Sequence, residues 1–217
     1  MNFEIGQQSR DAVAVLRAAG EESAFVFGNS SAAVIALDMA RTQPQAVRTV
    51  IAHEPPIPRM LPQARKWQRF FAGVYWTAFR FGSYLASFRF ILGVQLPVGQ
   101  MIKATKDVNI HMKQSSERYI SAKDATEILV KHELLPVTNY LPDVERIKQN
   151  RVKVIMGVSE WARGRKTWYA QAAQILAEKL GCELVTFPGH HASFLDMPDE
   201  FAATLRSVLH KAEGVNQ

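Results

Sequence analysis

Four short apolar runs constrain this 217-residue chain more than any other feature: "SAFVFG" from residue 23, "VRTVIA" from 47, "RVKVIMG" from 151 and "ELVTF" from 183. Each is short and almost continuously apolar, the pattern of a strand covered on both faces in a parallel sheet. Helical periodicity lies between them. "SRDAVAVLRAAG" sets Val13 and Leu16 at helical spacing, with Ser9 expected as its cap and Gly20 as its stop. A second helix is expected from Ser31 to about Thr42, stopped before Pro44, and others from about Lys166 to Leu180 and from Pro198 to about His210. Strands alternating with helices predict an α/β fold, a mostly parallel sheet flanked by helices.

Residues 57–145 break that alternation. Prolines at 55, 56, 58 and 62 forbid regular structure where the break begins, and the residues beyond them read as helices only. The expected organisation is a core of residues 1–56 and 146–217, with 57–145 inserted as a helical lid. The stretch "WQRFFAGVYWTAFRFGSYLASFRFIL" is unusually aromatic, but Gly73, Arg80, Gly82 and Arg89 interrupt it before about 20 uncharged residues accumulate, so no transmembrane span is expected. No acidic residue occurs between Glu54 and Asp107, whereas Arg59, Arg65, Lys66, Arg69, Arg80, Arg89, Lys103 and Lys106 all do. Two uses suit that composition: a lid over an apolar pocket that also accepts an anionic group, or helices lying on an anionic membrane surface.

Apolar residues make up 47% of the chain and charged residues 21%, the balance of a folded protein. The net charge of +6 raises the question of nucleic acid, but no RNA-binding aromatic box, helix-turn-helix or zinc-finger spacing accompanies it, and no nucleic-acid partner is expected. The single cysteine, Cys182, cannot form an internal disulfide and reads as core. "HEPP" and "HELL" are not zinc motifs and no glycine-rich phosphate loop is present, so neither metal nor cofactor is expected. "WARGRK", with Arg163, Arg165 and Lys166, reads as a solvated turn. The start, "MNFEIGQQSRD", has no secretory or transit pattern, which predicts a cytoplasmic protein.

Chemistry enters at Gly28-Asn29-Ser30-Ser31-Ala32, where the first strand turns into a helix. Small residues on either side of Ser30 allow a tight turn that exposes its oxygen; the alternative is that Ser30 merely caps the helix. A serine needs a base, and the base needs an acid to hold it. Glu160 follows the third strand, and His190 and His191 follow the fourth, in the chain order serine, acid, histidine. Ligands of parallel sheets bind at that edge, beyond the carboxyl ends of the strands.

On these residues the chain resembles the α/β-hydrolase family over nearly its whole length. "VFGNSSAAVIALDMARTQPQAVRTVIAHEPP" is similar to the family's nucleophile elbow, helix and next strand, with Ala32 where a glycine is usual. "FPGHHASFLDMPDEFAATLRSVL" is similar to its histidine loop and last helix, and the interval to the Pro-Asp helix start favours His191 over His190. The resemblance implies Ser30 as nucleophile, His191 as general base and Glu160 as orienting acid. Glu54, after the second strand, is the fallback acid, and the Ser31 backbone N–H an oxyanion donor. It implies cleavage of an ester, thioester or lactone of a bulky apolar small molecule, with a cyclase or carbon–carbon bond enzyme, or an impaired binding subunit, as alternatives. In the family, further strands precede the elbow and a loop among them gives a second oxyanion donor. Only about twenty residues stand before the elbow strand here. The first strand is therefore expected at an exposed edge, shortened relative to the family, where a second copy or a partner chain would cover it.

Overall fold

The computed structural model describes residues 3–105 and 121–214. Lys106 and Asp107, which belong to the charge pattern of the insertion, lie outside the described residues. Four strands, β1 (Ala24–Asn29), β2 (Val47–His53), β3 (Lys153–Ser159) and β4 (Leu184–Phe187), form one sheet in the order β1-β2-β3-β4 with every neighbouring pair parallel. Asn29 is in register with His53, His53 with Gly157, and Ser159 with Phe187, so the carboxyl ends of all four strands lie along one edge.

Alternation within the strands divides the core. Val50, Ala52, Val154, Met156 and Val158 pack on one face with α1 (Ile5–Ala18), α2 (Ser31–Thr42), α8 (Val144–Gln149) and α10 (Trp168–Leu180). Ile51, Ile155 and Phe187 pack on the other against Phe201 and Val208 of the last helix, α11 (Pro198–Glu213). That second face is where His53 lies, its ring 5.1 Å from that of Phe187 and 5.8 Å from that of Phe201.

Two expectations change. Ser9 does not cap α1: the helix begins at Ile5, and Ser9 is buried inside it, its hydroxyl donating to Asp38 Oδ2 at 2.8 Å. Asp38 also accepts from Arg41 and from the Tyr140 hydroxyl, so one buried carboxylate joins α1, α2 and the loop that carries Tyr140. The β1 strand is mostly half-buried and not buried on both faces, because among the described residues it pairs with β2 alone. The Arg48 guanidinium lies 5.2 Å from the Phe25 ring beside that edge. Cys182 is half-buried, and burial pushes its thiol up to about 11.

Between β2 and β3 the described residues are mainly helical, forming, ahead of α8, α3 (Ala64–Phe81), α4 (Ser83–Gly93), α5 (98–105), α6 (Ala122–Ile128), a π-helical turn at Leu129–Glu133, and α7 (Leu134–Thr138). The wide turn precedes Pro136, which lacks the N–H that a regular α-helix would need there. This layer is fastened to the core through α10. Trp168 Nε1 donates to Val94 O at 2.8 Å, and the Tyr169 hydroxyl donates to Gln95 O at 3.1 Å. A short helix, α9 (Glu160–Gly164), follows β3 directly. Its "WARGRK" continuation stands at the surface, with Arg163 donating to Thr186 Oγ1 and Arg165 lying over the Trp161 ring. No helix among the described residues is long and apolar enough to cross a membrane.

Candidate active site

Ser30 stands between β1 and α2 with φ 56° and ψ −123°, a backbone state that costs a non-glycine residue on the order of 1–3 kcal/mol. Its N–H donates to His53 O at 2.9 Å, and its carbonyl accepts the first helical bond, from Ala33 N–H at 3.0 Å. The hydroxyl makes no capping bond to α2, which removes the helix-cap alternative. Gly28 makes the bend possible. A Cβ there would lie 2.3 Å from Ala32 O and 2.7 Å from Ala33 Cα, both backbone atoms. Ala32 is exposed, which explains why a methyl group is tolerated at that position.

Glu54 follows β2 in a second unusual conformation, φ 49°, and is fully buried. Its Oε2 accepts from His191 Nδ1 at 2.5 Å, while Oε1 accepts from Ser159 N–H at 2.7 Å and from the Ser159 hydroxyl at 2.6 Å. Burial pushes this carboxyl up, but the bonds from His191 and Ser159 and the neighbouring imidazoles outweigh it and hold Glu54 down at about 2. Glu54 is thus a fully partnered carboxylate. His191 uses Nδ1 for that bond, and among the described residues neither its Nε2 nor Ser30 Oγ has a hydrogen-bond partner. Ser30, Ser31, Glu54 and His191 line one cavity.

Glu160, expected to hold the histidine, does not touch it. Ser159 caps α9, accepting from Ala162 N–H at 3.2 Å, so Glu160 becomes the first residue of an outward-running helix and is exposed. Its Oε2 accepts from Gly189 N–H at 3.2 Å, and Trp161 N–H donates to Gly189 O at 2.9 Å. Glu160 therefore braces the histidine loop from outside, and the carboxylate on His191 is the fallback, Glu54. His190 is spent on the loop itself: its Nδ1 accepts from Ala192 N–H at 3.2 Å, and Nε2 reaches Asp196 Oδ2 at 3.1 Å.

Three neighbours carried no sequence signal. Ser159 serves both Glu54 and α9. The Tyr169 ring stands 5.8 Å from that of His191, its phenol pKa raised by burial. His53 is fully buried, with Nδ1 2.6 Å from Asn29 Oδ1 and Nε2 without a partner among Phe27, Phe187 and Phe201. Burial holds this imidazole neutral, down to about 4, against the attraction of Glu54.

Apart from Thr138 and Tyr169 the rest of the cavity is apolar, with Phe71, Phe90, Val94, Leu96, Leu134, Val137 and Trp168 among its walls and about 470 Å³ of space including its mouth. Among the described residues no lysine or arginine lines it. Two basic residues from the segment between β2 and β3 are used elsewhere: Arg59 donates to Asn139 O, and Arg89 donates to Gly73 O and Thr77 Oγ1. No cluster of described residues could hold a metal ion.

No family model matches the chain. A Bacillus subtilis (strain 168) protein named as the uncharacterized hydrolase YraK is 23% identical over 213 residues, covering 96% of this chain and 72% of that protein. A thermophilic esterase from Thermogutta terrifontis, with malate bound, superposes with a TM-score of 0.66 at 13% identity over 98% of this chain and 74% of its own. MGS-M2, an alpha/beta hydrolase enzyme from a Medee basin deep-sea metagenome library, superposes with a TM-score of 0.62 at 16% identity over 100% of this chain and 74% of its own. With its parallel four-stranded sheet, flanking helices and residues Ser30 and His191 at the carboxyl edge, the chain has the α/β-hydrolase fold.

Proposed function

We propose that the chain is a serine hydrolase that cleaves an ester, thioester or lactone of a bulky apolar small molecule. The reading is carried by one arrangement: Glu54 holds His191 through Nδ1 beside an uncapped, strained Ser30 in the same cavity. With Nδ1–H donated to Glu54, Nε2 is the nitrogen left to take the Ser30 proton as Oγ attacks the carbonyl carbon. The Glu54 carboxylate stabilises the imidazolium that forms. The imidazolium then returns its proton to the leaving group, and an acyl group remains on Ser30. Water, deprotonated by His191, releases it by the reverse sequence. The Ser31 N–H, at the start of α2, is the donor for the developing oxyanion. The walls of the cavity favour a neutral apolar acyl portion over an anionic one.

The test is a fluorophosphonate adduct on the purified chain, located by peptide sequencing. An adduct on Ser30 that disappears in Ser30→Ala, together with loss of ester turnover in that variant, supports the reading. A folded chain that takes no adduct at Ser30 overturns it.

A further inference from the structure

The outer face of the insertion is unlike the rest of the molecule. Trp76, Phe79, Phe81, Tyr84, Phe88 and Leu92 are exposed on α3 and α4, with Leu92 at 71% and Phe81 at 65%. Phe81, Leu85, Phe88 and Leu92 line one open surface groove with Arg89. Large exposed apolar patches on a folded protein mark interaction sites, and this one carries a charge signature as well. Arg65, Lys66, Arg69, Arg80, Arg89 and Lys103 are carried on the helices of the same insertion, and the sequence from residue 55 to 106 has no acidic side chain.

We propose that this face docks the chain on an anionic phospholipid surface, with Phe81, Leu85, Phe88 and Leu92 entering the interface and the flanking arginines meeting lipid phosphates. The charge selects the partner. A second copy would bring one predominantly basic face against another, since Glu127, which lines the adjoining pocket with Tyr84, is paired with Lys131, whereas anionic headgroups neutralise the face and their acyl boundary accepts the aromatic and aliphatic groove. Trp76 and Tyr84 are the residue types that settle at the level of the headgroups. The helices lie on the surface and do not cross it, since none among the described residues is long and apolar enough to span. Phe71 of α3 and Phe90 of α4 line the cavity from within, so docking sets the cavity wall against the lipid. The proposal is independent of the catalytic reading.

The test is cosedimentation of the full chain with sucrose-loaded vesicles, either pure phosphatidylcholine or phosphatidylcholine containing a third phosphatidylglycerol. Binding to the anionic vesicles alone, weakened by added salt, is expected. Arg80→Glu is expected to lower the partition coefficient about fivefold or more, and the double variant Phe88→Ser, Leu92→Ser to abolish pelleting. All three positions are exposed, so unchanged thermal unfolding checks that the variants fold, and Arg80→Glu alone keeps the test decisive. Failure to bind anionic vesicles, equal binding to both vesicle types, or unchanged binding by the variants would overturn the proposal. So would a dimer in light scattering that the double variant dissociates.

Discussion

His191 Nδ1 donates to Glu54 Oε2 at 2.5 Å across 137 residues of sequence, from the loop after the last strand to the end of the second. Glu54 reaches it because β2 is a central strand, and the positive φ just past β2 sets the carboxylate between His191 and Ser159. Three donated hydrogen bonds keep that buried carboxylate ionised.

Replacing Glu54 with glutamine is therefore expected to lower kcat/KM on a p-nitrophenyl ester by roughly 10³–10⁴, because a neutral amide neither fixes the His191 tautomer nor stabilises its imidazolium. Glu160→Gln should stay within a few fold of the native value, since the amide oxygen still accepts from Gly189 N–H. The reverse ranking would return the acid role to Glu160.

The Gly28→Ala substitution tests the elbow. Its methyl would meet the backbone of Ala32 and Ala33, which cannot move without displacing α2. A loss of about 1–3 kcal/mol in stability is expected, together with loss of turnover. Gly164→Ala, with nothing within 4 Å of the added methyl, is the control and should leave both unchanged. Calorimetry with parallel ester assays decides. A native-like melting temperature and rate in Gly28→Ala would show that the elbow tolerates a side chain.

The four strands were legible because a buried strand leaves a continuous apolar run, and Ser30 because a tight strand-to-helix bend needs small neighbours such as Gly28. The carboxylate that bonds His191 was not. Glu54 and Glu160 each follow a strand by one residue, and the resemblance to the family put Glu160 first. What separates them is three-dimensional: Ser159 caps α9 and sends Glu160 outward, while its own N–H and hydroxyl receive Glu54. Ser9 failed as a cap for a similar reason, since its partner Asp38 lies 29 residues away. The partial exposure of β1 agrees with its expected place at the sheet edge, where among the described residues it pairs with β2 alone.

His53 gives the protein a distinct acid sensitivity. The unfolded chain takes up a proton at this imidazole near 6.5, but the folded one only near 4, so between those values the unfolded state binds more protons and stability falls as pH falls. The loss is on the order of 2–3 kcal/mol across that window. Glu54, depressed from 4.5 to about 2, adds its own loss only in the lower window between those two values. In His53→Gln the amide can still donate to Asn29 Oδ1, while the titration is gone. Urea unfolding at pH 7 and at pH 4.5 should then show a smaller drop in the variant than in the native chain. Equal drops would assign the acid sensitivity elsewhere.

The apolar end of the cavity should set the size of the acyl group. Val137 is buried on α7 and lines the cavity with Leu134 and Phe71, so a phenyl ring placed there occupies space that the proposed acyl chain would fill. Val137→Phe is expected to reduce kcat/KM for an octanoate ester by about tenfold or more while leaving the acetate ester nearly unchanged, because steric exclusion in such a pocket discriminates by about 1–3 kcal/mol. The ratio of the two kcat/KM values isolates the effect, since a general disturbance of Ser30 or His191 lowers both rates together. A ratio unchanged from the native chain would mean that the acyl group lies elsewhere, with the leaving group on this side of the serine.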